Sequence, residues 1–238
     1  MKLCIIGYQG KMGQVMAHVA REAGHEVFGL GLDSGDQVYT SLQDAPKPDV
    51  IVDFSVPEAL ASYLEYAQAH QLPCVIATTG YSSAQEQEIL HVSQSIPIFK
   101  SANFSLGVFV LNQLIQVATQ HLQHMDIDVY DIHHKFKQDA PSGTAKLLIN
   151  TILNDRDLSV ESNHLQPRQA DKLYVHVSRL GSIVGEHRVV FSDTAETIEL
   201  KHTAHSKDVF AKGALMASQW ILDKPAGYYA MEDLWNNS

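Results

Sequence analysis

Leu3-Cys4-Ile5-Ile6-Gly7-Tyr8-Gln9-Gly10-Lys11-Met12-Gly13 stands at the head of the chain, and its reading decides the fold class. Leu3 to Ile6 is a short continuous apolar run, as expected of a strand buried on both faces. Gly7-x-x-Gly10-x-x-Gly13 follows, and then a helical pattern from Gln14 to Glu22, with Gly24 placed to end it. Between a strand and a helix, glycines permit a tight turn and close backbone approach. The helix N-terminus then presents unbonded N–H groups to a pyrophosphate. The spacing departs from G-x-G-x-x-G, so strand, loop and helix in the right order carry the reading as much as the glycines do.

Further along, strand and helix signals alternate. His25 to Leu30 reads as a second strand ending near Asp33, Val50 to Phe54 as a third, Cys74 to Ala77 as a fourth and Ile96 to Phe99 as a fifth. Helices are expected at Glu58 to His70 and over 83–94. Short apolar strands separated by helices predict an α/β fold with a Rossmann-like parallel sheet covered on both faces. Asp33 can accept hydrogen bonds from adenosine ribose hydroxyls, which favours NADH; Lys11 can approach a 2′-phosphate, which admits NADPH. Thr78-Thr79-Gly80 and Ser101-Ala102-Asn103-Phe104 follow strands at the edge where open α/β sheets bind ligands.

Beyond residue 104 the pattern changes. A helix from Leu106 to Leu122 leads to a strand from Ile127 to Phe136, a Pro-Ser-Gly-Thr turn and another helix. Asn154 to Asp171 is polar and aperiodic and reads as a long loop. Leu173 to Arg179, Glu186 to Ser192 and Glu196 to Thr203 then cluster as strands without helices between them, which predicts a second, α+β domain. A helix from Phe210 to Leu222 and a tail from Gly227 to Trp235 close the chain.

The chemistry concentrates in His133-His134-Lys135-Phe136-Lys137-Gln138-Asp139-Ala140-Pro141-Ser142-Gly143-Thr144-Ala145. On a straight strand His133 shares a face with Lys135 and Lys137, while His134 faces with Phe136. His133 and Lys137 pair an imidazole that titrates near neutrality with a fixed cation, suited to proton donation and to holding a carboxylate. Ser142, Gly143 and Thr144 precede a helix. Ser142 or Thr144 can simply cap it, or the turn can share its donors with a substrate carboxylate.

Composition sets limits. The chain has 238 residues, 45% hydrophobic and 18% charged, with a formal net charge of −10. That acidity argues against nucleic acid or anionic lipid as partner. Cys4 and Cys74 lie in apolar strands, and no spacing points to a metal site or a disulfide framework. With no signal-peptide pattern and no apolar run of the roughly 18 residues a membrane span needs, a soluble cytoplasmic protein is expected.

These residues together resemble the 4-hydroxy-tetrahydrodipicolinate reductase (dihydrodipicolinate reductase) family of bacterial lysine biosynthesis. His133 to Ala145 is similar to the family's H-H-x-x-K-x-D-A-P-S-G-T-A signature. Gly7 to Gly13, Asp53-Phe54-Ser55, Thr78-Thr79-Gly80, Asn103-Phe104-Ser105, Arg179 to His187 and Phe210 to Ala214 match in order. The resemblance implies a dinucleotide-binding domain over 1–104 with 213–238, and a substrate-binding and oligomerisation domain over 105–212 that builds a homotetramer. It implies that His133 donates a proton with Lys137 as its partner, and that His134, Gly143 and Thr144 contact the carboxylates of a dicarboxylate substrate. It places NADH or NADPH against Gly7, Tyr8, Gln9, Gly10, Lys11, Met12, Asp33, Ala77, Thr78, Thr79, Ser101, Ala102, Asn103 and Phe104. Ala77 stands where many members carry glycine, and Ser34 where some carry an arginine, so nucleotide preference stays open. Two other functions share the glycine loop: a different two-domain amino-acid dehydrogenase, and an NADH-binding redox sensor. Neither has an evident need for the histidine-lysine block.

Overall fold

The computed structural model describes residues 1–162 and 167–235. The chain divides into two compact units, Met1–Ser105 with Lys207–Ser238, and Leu106–Ser206.

The first unit is a seven-stranded sheet: β1 (Lys2–Ile6), β2 (Glu26–Leu30), β3 (Val38–Tyr39), β4 (Val50–Asp53), β5 (Cys74–Ile76), β6 (Pro97–Lys100) and, from the end of the chain, β12 (Gly227–Tyr229). Its order is β12-β6-β5-β4-β1-β2-β3, and neighbouring strands pair in parallel. The apolar runs read from the sequence are buried throughout β1, β4 and β5, as strands covered on both faces must be. The helices of this unit are α1 (Lys11–Glu22), α2 (Leu60–Ala69), α3 (Ser83–Val92), α6 (Asp208–Trp220) and α7 (Met231–Trp235). One side of the sheet packs Ile51, Ile76 and Ile98 against Leu60, Leu64 and Ile89 of α2 and α3. The sequential order reverses between β1 and β4, and a crevice opens there at the strands' carboxyl ends.

The second unit is a five-stranded sheet of order β11-β10-β7-β9-β8. Its strands are β7 (Asp126–His133), β8 (Ser159–Ser162), β9 (Lys172–Arg179), β10 (Gly185–Ser192) and β11 (Thr197–Ala204). Leu111 and Ile115 of α4 (Leu106–His121) and Leu148 and Ile152 of α5 (Gly143–Asp155) pack on Ile127, Val129 and Phe191. Burial alternates along β7, so Ile127, Val129, Asp131 and His133 share the covered face.

Several expectations change. The strand expected to reach Phe136 stops at His133, where the chain turns: Leu180 N–H donates to the His133 carbonyl and Lys137 N–H to that of His134. Lys135 and Lys137 therefore do not continue the strand face of His133. Within the expected loop from Asn154 to Asp171, α5 persists to Asp155 and Ser159–Ser162 pairs in parallel with β9; residues 163–166 of that stretch lie outside the described residues. β3 pairs through only Gly29↔Val38 and Leu30↔Tyr39, too short a run to announce itself. A boundary at 213 would cut α6, a single rod from Asp208 to Trp220, and the division falls before Lys207 instead. Cys4 and Cys74 are free and buried, and burial pushes the Cys4 thiol up to about 12. Among the described residues no helix is long and apolar enough to cross a membrane.

Candidate active site

At the crevice of the first unit, Gly7 holds φ +75, a conformation that disfavours any side chain. A Cβ on Gly7 would lie 2.6 Å from the Phe54 carbonyl oxygen, and one on Gly13 would lie 2.2 Å from that of Gly7. Backbone, with the Ser55 Cβ beside Gly7, forms this cradle. Gly10 caps α1 without any side-chain hydrogen bond, and no acid occupies the first turn. The leading N–H groups thus face the loop without a competing carboxylate, as an anion site requires. A cavity of about 610 Å³ opens beside them, lined by Gly7, Gln9, Gly10, Gly31 and Leu32 on one side and Phe54 and Ser55 on the other. This cradle fits the pyrophosphate of a dinucleotide.

The remaining expected nucleotide contacts are placed unevenly. Tyr8 is buried, and its hydroxyl accepts from Arg21 at 2.7 Å, so toward the cavity it offers backbone only. Lys11 is exposed in the first turn of α1 and Met12 is half-buried. Asp33 lies in an exposed bend just beyond the Gly31–Leu32 rim. Ala77 is half-buried and Thr79 exposed, while Thr78 Oγ1 accepts the Ser55 N–H at 2.8 Å. Asp53, fully buried, accepts from Tyr63 Oη at 3.0 Å and Tyr81 Oη at 2.8 Å, and also takes the Ser55 amide. The loops after β4 and β5 are therefore cross-linked. After β6, Ser101 Oγ donates to the Asn103 carbonyl at 2.7 Å, and Ala102 is exposed. Phe104 packs its ring in the core against Phe99.

In the second unit the end of β7 meets the start of α5. His133 is buried, with Nδ1 2.9 Å from Asp131 Oδ1. That separation is an ion-pair distance, but the ring N–H is not aligned for a hydrogen bond. Asp131 Oδ2 accepts the Ser142 N–H at 2.9 Å and Arg179 Nη2 at 3.2 Å. His187 Nε2 lies 3.3 Å from Asp131 Oδ1 and is hydrogen-bonded to Ser142 Oγ at 2.9 Å. Ser142 also caps α5, its Oγ accepting the Ala145 N–H at 3.1 Å. Capping and site-building are thus one residue's work. Gly143, exposed, and Thr144, half-buried, form the first turn beyond it.

Electrostatics follow from burial. Burial alone would raise the Asp131 carboxyl, but His133, His187 and the Ser142 amide outweigh it and hold it well below the usual carboxylate range. His187 is lowered, chiefly by burial, against the pull of Asp131. Lys137 pairs with Asp139 at 2.8 Å, and Arg179 Nη2 donates to the Asp139 carbonyl at 2.7 Å. His134 Nδ1 is buried with no hydrogen-bond partner among the described residues, an unmet valence suited to a carboxylate. Ligating atoms of Asp131, His133 and His187 converge within 4.8 Å, a set no sequence spacing shows. A cation there would compete with Arg179, which already compensates the carboxylate.

With this geometry in view, comparisons with known proteins are decisive. The family described as "Dihydrodipicolinate reductase, N-terminus" matches residues 1–104, and "Dihydrodipicolinate reductase, C-terminus" matches residues 107–235. This chain belongs to the dihydrodipicolinate reductase family. The 4-hydroxy-tetrahydrodipicolinate reductase of Staphylococcus carnosus (strain TM300) is 41% identical over 245 residues, covering 99% of this chain and 100% of the relative. That of Exiguobacterium sp. (strain ATCC BAA-1283 / AT1b) is 40% identical over 242 residues, covering 100% and 97%. Among solved structures, the dipicolinate-bound dihydrodipicolinate reductase from Paenisporosarcina sp. TG-14 is 20% identical and superposes with a TM-score of 0.81 over 98% of each chain, which shows the shared fold.

In this reductase-family chain the sequence alone marks neither Asp131 nor Arg179 nor His187 as a site residue. Alternation offered a signal for the first, since Asp131 sits two residues before His133 on a face otherwise apolar. His187 and Arg179 close and open a single sequence block, but only the pairing of β9 and β10 on either side of β7 brings both to Asp131.

Proposed function

We propose that this chain catalyses the NAD(P)H-dependent reduction of 4-hydroxy-tetrahydrodipicolinate to tetrahydrodipicolinate with loss of water, in the diaminopimelate route to lysine. Alongside family membership, the observation that carries this reading is the buried His133 beside the N-terminus of α5, with Lys137 and His134 in the same turn. When bound, the nicotinamide supplies the hydride. Everything else falls to the chain's own side chains.

Gly7, Gly10 and the first turn of α1 receive the pyrophosphate. Lys137, His134 and the amides of Gly143 and Thr144 bind the two ring carboxylates; to do so Lys137 exchanges or shares its contact with Asp139. The substrate loses its hydroxyl as water to leave a conjugated imine ring, and hydride addition places a pair of electrons on the neighbouring carbon. His133, protonated, delivers its proton there from Nε2 and is recharged from solvent. Anchored carboxylates fix the ring relative to that nitrogen, and such positioning makes proton transfer effectively unimolecular.

A homotetramer formed through the five-stranded sheet belongs to the same proposal. Its face opposite α4 and α5 stacks Tyr130 on His176 with Arg188 above, the aromatic and arginine content typical of interfaces. Light scattering on the purified protein tests it. A cytoplasmic location accords with two free, buried cysteines.

The test of function supplies the condensation product of pyruvate and aspartate semialdehyde and follows NADH absorbance. Consumption of one nucleotide per substrate is expected, and none with either NADH or NADPH would overturn the reading.

A further inference from the structure

We infer that Asp131 is the positioning residue of this site: its carboxylate orients His133 for proton delivery and ties that histidine to the turn that opens α5. The inference rests on the reading of His133 as proton donor.

Asp131 occupies a strand position whose companions Ile127 and Val129 are core residues, and it is fully buried. An isolated carboxylate there would be strongly unfavourable, so its retention requires compensation by charge and hydrogen bonds. Compensation comes from four elements at once: His133 on β7 itself, His187 from β10, Arg179 from β9 and the Ser142 amide before α5. One side chain thereby holds the donor ring by charge and the start of the anion-binding turn by a hydrogen bond to the Ser142 amide. Neither can shift without disturbing the other.

The two edges of the His133 ring are unlike. Nδ1 faces the carboxylate, while Nε2 faces Gly185, where a Cβ would approach to 3.0 Å. No hydrogen bond reaches Nε2 among the described residues. A carboxylate beside Nδ1 keeps a proton on that nitrogen in the neutral ring, which leaves Nε2 to give up and regain the transferred proton. The charged and titratable groups around this ring are Asp131, with its partner Arg179, and His187; Lys137 and His202 act on His187, and Asp139 pairs with Lys137.

Asp131→Asn, nearly isosteric and uncharged, is the test. Turnover should fall about tenfold or more, short of the roughly 10²–10⁴-fold that losing the general acid itself would cost, with KM for the nucleotide unchanged. The alkaline limb of the kcat/KM profile should move to lower pH. A loss of thermal stability with an unmoved pH profile and near-wild-type turnover would make Asp131 merely structural and overturn the inference. A second measurement is independent of activity and of the folding of Asp131→Asn. In ¹⁵N-histidine spectra of the wild-type protein, with the His133 signals assigned by their absence in His133→Gln, neutral His133 should carry its proton on Nδ1. A proton on Nε2 with bare Nδ1 would overturn the inference even if D131N does not fold. Failure of wild-type turnover would instead strike the proposed function and leave this result standing.

Discussion

Asp131 Oδ1 lies 2.9 Å from His133 Nδ1, and both side chains are buried. A histidine so held has one edge beside a carboxylate, and its Nε2 edge meets Gly185, where the missing side chain leaves the room a Cβ would fill. Replacing His133 by alanine should therefore lower kcat by about 10²–10⁴-fold and leave the nucleotide dissociation constant within about twofold. Steady-state kinetics beside fluorescence titration of the nucleotide would check this. Near-wild-type turnover would remove His133 from the chemistry.

Lys137 behaves differently because it is already paired. Its ammonium sits 2.8 Å from Asp139, half-sheltered by the turn. Under the proposed function a substrate carboxylate gains this cation in binding and keeps it during reaction, so Lys137→Ala should raise substrate KM and lower kcat together. An effect confined to KM would show that Lys137 binds but does not help the reacting geometry.

Acid should destabilise the protein in two windows. His187 is lowered by burial, so the unfolded chain takes up a proton before the folded one does. Stability is full above the ordinary histidine value of 6.5 and falls as pH drops below it. Asp131 is depressed below the ordinary 3.8, so its contribution persists to that value and is lost only in stronger acid. His187→Gln should flatten the first decline, measured as Tm against pH. The Tm gap between wild type and Asp131→Asn should stay open from neutrality to about pH 4 and close below it. A gap that already closes at pH 6 would contradict this ordering.

Much of the architecture was legible because local and long-range signals coincide in the first unit: each buried strand is a continuous apolar run, and Gly24, with φ +80, ends α1 where the pattern stopped. β3 and β8 were illegible for the opposite reason. Val38–Tyr39 and Ser159–Ser162 carry little hydrophobic pattern and exist through pairing with β2 and β9. In the site, His133, Lys137 and Ser142 announced themselves by proximity in sequence. Asp131, Arg179 and His187 meet only through strand register, which no local pattern encodes. At Tyr8 long-range packing decides the side chain: its ring fills the space over Gly29 and its hydroxyl meets Arg21, which leaves the backbone toward the loop.

Two glycines should be intolerant of even a methyl group, with different readouts. At Gly13 a Cβ would sit 2.2 Å from the Gly7 carbonyl oxygen, so Gly13→Ala must displace the loop from Gly7 to Gly13. At Gly213 it would sit 1.8 Å from the Phe104 carbonyl oxygen, where α6 crosses the chain. Each should cost about 1–3 kcal/mol as overpacking, seen in denaturant unfolding. Gly13→Ala should in addition weaken NADH binding at least tenfold. Unchanged affinity in a folded Gly13→Ala protein would show that the loop does not hold the pyrophosphate.

We propose that nucleotide choice turns on two exposed groups near the crevice. Asp33 follows Leu32 in the bend after β2, and Lys11 stands in the first turn of α1. A carboxylate there accepts from the ribose hydroxyls of NADH and repels a 2′-phosphate, while the lysine attracts one. Removing each charge should therefore act in opposite directions: Asp33→Asn should raise kcat/KM for NADPH relative to NADH, and Lys11→Ala should lower that ratio. Since both side chains are solvent-exposed, raising salt should shrink both differences. The ratio of kcat/KM for the two nucleotides, measured for the three proteins at two salt concentrations, decides it. If Asp33→Asn leaves the ratio unmoved, the ribose is read elsewhere on the rim.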